Sequence, residues 1–332
     1  MSKVDPARYL RGLLGSVEHS DGQRLPSSAA SKLPSDTVGA GRVPAGVHVA
    51  FTGDAAAIDV VYEPRASTSV PSPAVDSGFA VWVGSHPVGW IPVESNSTVA
   101  HISLPSRPVD EVVRIYLPET PLIALTQLEA ESGNIVALPP EPIWVVYGDS
   151  ITQGWSVSTP GRAWPSLIAH ELNLEVVNLG FAGSARGETP AAIAMSESGA
   201  DLVTLAWGTN TWSSIPTDPE QLSHAVRIFL TIVRQGLPTT PIVVVSPIVR
   251  PDAEQRRNKL GATLRELRTA MEAAVADFVA TNNDDSIYSV DGLGLVTGDA
   301  LVDGVHPGDE GHRAFADALL PIIAEARTRI SP

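Results

Sequence analysis

Apolar and polar positions along the chain change rhythm near residue 140. Short β-type runs divided by Pro, Gly, Ser and Asp fall at 47–52, 58–62, 79–83, 99–104, 112–117 and 122–128. Several alternate with period two. Val112, Arg114 and Tyr116 face one way and Val113, Ile115 and Leu117 the other, which predicts a strand with one buried and one solvated face. The runs recur every 8–14 residues or so, with no helical pattern between them. That spacing predicts an antiparallel sandwich or jelly roll. Ahead of them, Asp5 and Pro6 read as N-cap and first residue of a short helix that Gly15 could end.

Residues 137–142, Ala-Leu-Pro-Pro-Glu-Pro, form a stiff connector, because proline fixes its own φ and restricts the residue before it. Beyond it the texture becomes strand–helix–strand. Continuous apolar runs at 143–147, 176–179, 202–207, 242–245 and 287–290 have the character of parallel strands buried on both faces. Helical patterns lie between and after them at 163–172, 219–234, 260–280 and 310–327. This alternation predicts a flavodoxin-like, three-layer α/β/α domain over 140–332, preceded by a β-sandwich (jelly-roll-like) domain over 1–139.

Composition narrows the partners. With 22 Lys plus Arg against 37 Asp plus Glu, the net charge is −15, and no basic cluster is available to neutralise phosphates, so nucleic acid is excluded as a partner. The absence of Cys removes disulfides, Cys-ligated metals and a cysteine nucleophile. No apolar run approaches the roughly 20 residues that span a bilayer, so no membrane partner is expected. The N-terminal segment shows no apolar core of a signal peptide, which makes a cytoplasmic location the expectation. Nothing in the sequence addresses oligomeric state.

In an open parallel sheet, ligands bind at the carboxyl ends of the strands. The residues that follow the apolar runs are Gly148-Asp149-Ser150, Gly180 to Gly183, Gly208-Thr209-Asn210, and, near the C-terminus, Asp303-Gly304-Val305-His306. One such block alone carries little information. Four in this order resemble the SGNH/GDSL hydrolase family over roughly residues 143–325. A sandwich ahead of such a domain is similar to two-domain carbohydrate esterases and to multi-domain GDSL-type esterases of actinobacterial type.

The chemistry can be read from the residues as well. Acyl transfer needs a hydroxyl nucleophile, a base, a group that orients the base, and donors for the oxyanion. Ser150 is the candidate nucleophile, and capping the next helix is its structural alternative. His306 is the candidate base and Asp303, three residues earlier, its orienting carboxylate; a capped turn and a solvated histidine are the alternative. His312, with Asp309 three residues before it, is the weaker candidate base. The resemblance implies an oxyanion hole built from the backbone N–H of Ser150, the backbone N–H of Gly183 and the side-chain amide of Asn210. Thr211 departs from the Asp often found after that Asn, which puts local hydrogen bonding in question.

Trp155, Trp164, Trp207 and Trp212 fall near the blocks, either as substrate walls or as core filling. Arg186, Glu188 and Arg250 are expected to be a solvated ion pair and an exposed loop charge. There is no Gly-x-Ser-x-Gly elbow, phosphate loop or metal-ligand cluster, so no cofactor and no metal are expected. The sequence therefore predicts a serine esterase acting on small acyl, chiefly acetyl, esters of small molecules or carbohydrates. The alternatives are an inactive carbohydrate-binding scaffold and an acyltransferase using the same acyl-enzyme.

Overall fold

The computed structural model describes residues 2–15, 22–65, 78–94 and 96–330. Its N-terminal part begins with β1 (Ser2–Val4), β2 (Leu10–Arg11), α1 (Ser27–Ala30) and α2 (Ser35–Gly41). The strands β3 (His48–Thr52), β4 (Ala57–Pro64), β5 (Gly78–Val83), β6 (His86–Pro92), β7 (Val99–Ser103), β8 (Val113–Tyr116), β9 (Ile123–Glu131) and β10 (Val136–Ala137) follow. They pair antiparallel into two sheets, ordered β1-β9-β4-β7 and β10-β3-β8-β5-β6, with β2 added against β3. Val49, Phe51 and Val81 of one sheet share an apolar core with Ile58, Val60 and Leu125 of the other.

Three local expectations change. The helix expected after Asp5 contracts to a 3-10 turn at Pro6–Arg8, capped by the Asp5 carboxylate at 3.0 Å from the Ala7 N–H. Residues 10 and 11 instead extend and pair with β3, so sheet pairing overrides a good helix start. β6 is not announced by an apolar run, because Pro87, Gly89 and Pro92 interrupt Val88, Trp90 and Ile91; an exposed edge strand tolerates those prolines. β8 is buried on both faces. Arg114 and Tyr116, expected to be wet, are both buried: Arg114 donates to the Gly84 carbonyl at 3.2 Å, and Tyr116 meets His170 of the second half of the chain.

That half contains β11 (Ile143–Gly148), α3 (Ser150–Gln153), α4 (Trp164–Leu172), β12 (Glu175–Gly180), α5 (Thr189–Ser196) and β13 (Leu202–Ala206). It continues with α6 (Thr209–Trp212), α7 (Pro219–Gly236), β14 (Ile242–Val245), α8 (Leu264–Asn282), β15 (Ile287–Val290) and α9 (Asp309–Arg327). Its strands form a parallel sheet in the order β12-β11-β13-β14-β15, the flavodoxin-like doubly wound order. Alternate residues of β11 supply the two cores. Val145 and Tyr147 pack with α5, α7 and α8, while Trp144 and Val146 pack with α4 and α9. Capping boxes from Asp218 with Gln221 and from Thr263 with Glu266 set the starts of α7 and α8. The α8 start therefore falls four residues later than the apolar pattern alone suggests. Among the described residues, no helix is long and apolar enough to cross a membrane.

The two halves share buried surface. Leu14, Leu25, Leu33 and Ala40 join the α5/α7 core rather than that of the N-terminal sheets. Tyr116 hydrogen-bonds through its hydroxyl to His170 Nε2 of α4 at 2.7 Å, and the Trp82 ring lies 4.7 Å from the same imidazole. Buried Arg24 donates to the carbonyls of Asn178 (2.5 Å), Gly180 (2.8 Å) and Ala40 (2.6 Å), tying α2 to the end of β12.

Candidate active site

The four blocks meet at the carboxyl end of the sheet. β11 ends at Gly148, where an added Cβ would collide with Thr152 Oγ1 and the Ala206 carbonyl, so the chain can turn sharply into α3 only with glycine there. The N-cap of α3 is Asp149 and not Ser150; its Oδ1 accepts from Ile151 N at 3.1 Å and its Oδ2 from Thr209 N at 3.2 Å. One carboxylate thus fastens the serine block to the asparagine block. Burial raises its pKa, against the lowering effect of those backbone donors. With capping assigned to Asp149, the Ser150 hydroxyl is left for other work.

Ser150 Oγ lies 2.8 Å from His306 Nε2, and His306 Nδ1 lies 2.7 Å from Asp303 Oδ2. The other carboxylate oxygen accepts from the backbone N–H of His306 (2.8 Å) and of Val305 (2.9 Å). Partial burial pushes the Asp303 pKa up, but the bonds from the His306 ring, the His306 N–H and the Val305 N–H outweigh it, so the net shift is downward. An ionised carboxylate only accepts, which places a proton on Nδ1 and leaves the Nε2 lone pair facing the serine hydroxyl. This tautomer can take the hydroxyl proton as Oγ attacks a carbonyl.

Asn210 is buried, and its Nδ2 has no hydrogen-bond partner among the described residues. The turn that holds it is closed by Thr211, whose hydroxyl donates to the Gly208 carbonyl at 2.5 Å; the local bonding that Thr211 put in question is therefore supplied by Thr211 itself. Gly183 has φ of +72°, and a Cβ added there would meet nothing within 4 Å, so backbone conformation rather than crowding requires glycine. Ser150, Gly183, Asn210 and His306 line one cleft of about 330 Å³, together with Trp155 and Arg250. The loop carrying Trp155 is pinned by Asp309, which accepts from the Ser158 N–H (2.8 Å) and hydroxyl (2.6 Å).

Most of the other candidates lie outside this cleft. His312 is fully buried, its Nδ1 accepts from Trp164 N at 3.3 Å, and burial lowers its pKa to about 4. Trp164 and Trp207 fill the core, and Trp212 is buried beneath Arg250 and Arg256. The expected Arg186–Glu188 ion pair is present, at 3.7 Å, but it is not solvated: Glu188 is buried and accepts from the Tyr147 and Thr37 hydroxyls, and Arg186 pairs with Asp36 as well. Arg250, expected as an exposed loop charge, lines the cleft. Sequence reasoning misses Asp149, Asn178 and Gln153 as positioning groups, although Asp directly after a strand is a helix-start signal. Asn178 Nδ2 donates to the Thr152 carbonyl, and Gln153 Oε1 accepts from Ala182 N.

Fold and cleft together define a doubly wound α/β protein with its reactive groups at the strand ends. Residues 141–324 match the GDSL-like Lipase/Acylhydrolase family, and the chain belongs to that family of ester hydrolases. It is 27% identical over 202 residues to the GDSL lipase Rv0518 of Mycobacterium tuberculosis, covering 54% of this chain and 80% of that one. Among solved structures, it is similar to the salicylyl-acyltransferase SsfX3 from a tetracycline biosynthetic pathway, at TM-score 0.83 and 23% identity, over 99% of both chains. It is also similar to a family two carbohydrate esterase from Clostridium thermocellum in complex with cellohexaose, at TM-score 0.63 and 16% identity, over 99% of this chain and 100% of that one.

Proposed function

We propose that the protein is a serine esterase that cleaves small acyl esters, acetyl esters foremost, through an acyl-enzyme. The observation that carries this reading is the continuous relay from Ser150 Oγ to His306 Nε2 (2.8 Å) and from His306 Nδ1 to Asp303 Oδ2 (2.7 Å) at the wall of one cleft. Ser150 Oγ attacks the ester carbonyl and gives its proton to His306, which passes it to the departing alcohol. Water, deprotonated by His306, then attacks the acyl-serine and releases the acid. Asp303 holds the imidazole and offsets its positive charge. The oxyanion is met by the N–H groups of Ser150 and Gly183 and by Asn210 Nδ2, whose lack of another partner supports this role. At about 330 Å³ the cleft is near the small end of ligand-sized cavities, which favours short acyl groups on a small-molecule or carbohydrate alcohol.

On this reading, residues 1–139 form a β-sandwich that buttresses the catalytic sheet, and residues 140–332 form the catalytic domain. Ser150→Ala should lower turnover of an aryl acetate by about 10³-fold or more while far-UV circular dichroism stays unchanged. A fluorophosphonate should label the wild type at Ser150 and leave the variant unlabelled. Retained turnover in the variant rejects the assignment, and a wild type inert to both reagents favours the scaffold reading. The likeness to an acyltransferase along the whole chain favours one second reading, transfer of the acyl group to an alcohol. Product analysis with a competing alcohol separates transfer from hydrolysis.

A further inference from the structure

We infer that Arg250 makes the cleft selective for esters that carry a carboxylate, an inference that rests on the esterase reading above. Among the described residues lining the cleft, Arg250 is the one permanently charged side chain, and no carboxylate lines it, although the chain as a whole carries −15. The guanidinium is held from two sides. Its Nε donates to Asp252 Oδ1 at 2.9 Å, and its plane lies over Trp212, 4.8 Å from the ring centroid. Trp212 is itself fixed by donation from Nε1 to the Arg256 carbonyl at 2.9 Å. Arg256 covers the same indole at 4.9 Å and shares Asp252 through Oδ2 at 2.8 Å.

Two cations thus share one anion, and the cluster keeps a net positive charge. The neighbouring Glu254 does not cancel it, because its carboxylate is paired with Arg268 at 2.7 Å. With Nε engaged by Asp252, the Nη1/Nη2 edge of Arg250 makes no hydrogen bond to another described residue. That edge matches the two oxygens of a carboxylate, and a guanidinium already held in place loses little freedom on binding one. A neutral ester has nothing to offer it.

The test compares kcat/KM on matched probe pairs. One pair is 4-acetoxybenzoate against its methyl ester, with the charge on the leaving group. The other is mono-4-nitrophenyl adipate against 4-nitrophenyl hexanoate, with the charge on the acyl group. The wild type should prefer the charged member of at least one pair by about tenfold or more, and the preferred pair tells which side of the ester meets Arg250. Arg250→Gln should bring that ratio close to one, Arg250→Lys should restore part of it, and added salt should lower it in the wild type. The ratio cancels any general loss of catalytic competence, so a merely structural role for Arg250 leaves it unmoved. A wild-type ratio at or below one in both pairs, or one unchanged by Arg250→Gln, overturns the inference. Failure to cleave the neutral probes as well would instead count against the esterase reading itself.

Discussion

Asn210 presents a buried amide nitrogen that no atom of the described residues satisfies, and an unsatisfied buried donor costs on the order of 1–3 kcal/mol. Of the described residues with such an unpartnered side-chain atom, Asn210 is the one that lines the cleft beside Ser150, where a ligand can supply the missing acceptor. On the proposed reading, the acceptor is the oxyanion, which exists only during acyl transfer. Asn210→Ala should therefore lower kcat by about 10²–10³-fold with a smaller change in KM. Steady-state kinetics on an aryl acetate measure this split, and an effect confined to KM would remove Asn210 from the oxyanion hole. Asp149 illustrates a different kind of residue effect, since it does not line the cleft yet accepts from the backbone N–H groups of Ile151 and Thr209, the residues next to Ser150 and Asn210.

Among the elements, the junction of β12 with α3 sets the geometry of the cleft. An added Cβ at Gly180 would overlap the backbone nitrogen of Gln153, and Gly180 N also donates to Asn178 Oδ1 at 2.8 Å. Backbone cannot retreat as a flexible side chain does, so Gly180→Ala should destabilise the fold by about 1–3 kcal/mol and disturb the glycine block. Chemical denaturation with parallel activity assays checks both consequences. Arg24 grips the same strand end from outside, and Glu119 lies within its electrostatic reach. Burial raises the Glu119 pKa to about 7, with Arg24 pulling it down. The folded protein therefore holds a proton that the unfolded chain releases near pH 4.5. Stability contributed by the neutral carboxyl is complete below that pH and is lost as pH rises through about 7. Urea unfolding of wild type minus Glu119→Gln should fall across this window by up to roughly 3 kcal/mol, and a flat difference would contradict the buried, protonated state.

On the scale of the whole molecule, the two halves are bound by a polar contact within an apolar seam. The Tyr116–His170 hydrogen bond is buried, and burial holds the His170 pKa well below its ordinary value, so the neutral ring bonds the phenol. Tyr116→Phe leaves His170 Nε2 without this partner and should cost about 1–3 kcal/mol. Because Leu14, Leu25 and Leu33 complete the core on one face of the parallel sheet, the halves should unfold together. Calorimetry should show one transition, shifted downward in Tyr116→Phe; two transitions, with only one of them shifted, would mean that the seam does not couple them.

Much of this was legible along the chain. The six N-terminal strands announced by short apolar runs and the five buried parallel strands are present, because local alternation and uninterrupted apolar stretches report directly on one-sided and two-sided burial. Asp303 and His306 are three residues apart, so one turn suffices to join them. By contrast, Ser150 and His306 are 156 positions apart, and only the winding of the sheet brings the hydroxyl to the imidazole. The second buried face of β8, the burial of Glu188 and the turn of Arg250 into the cleft also depend on what another segment places opposite them. A residue's own neighbours encode its backbone preference and which face it shows; the tertiary fold decides whether that face meets water, core or substrate, because burial belongs to both surfaces in contact.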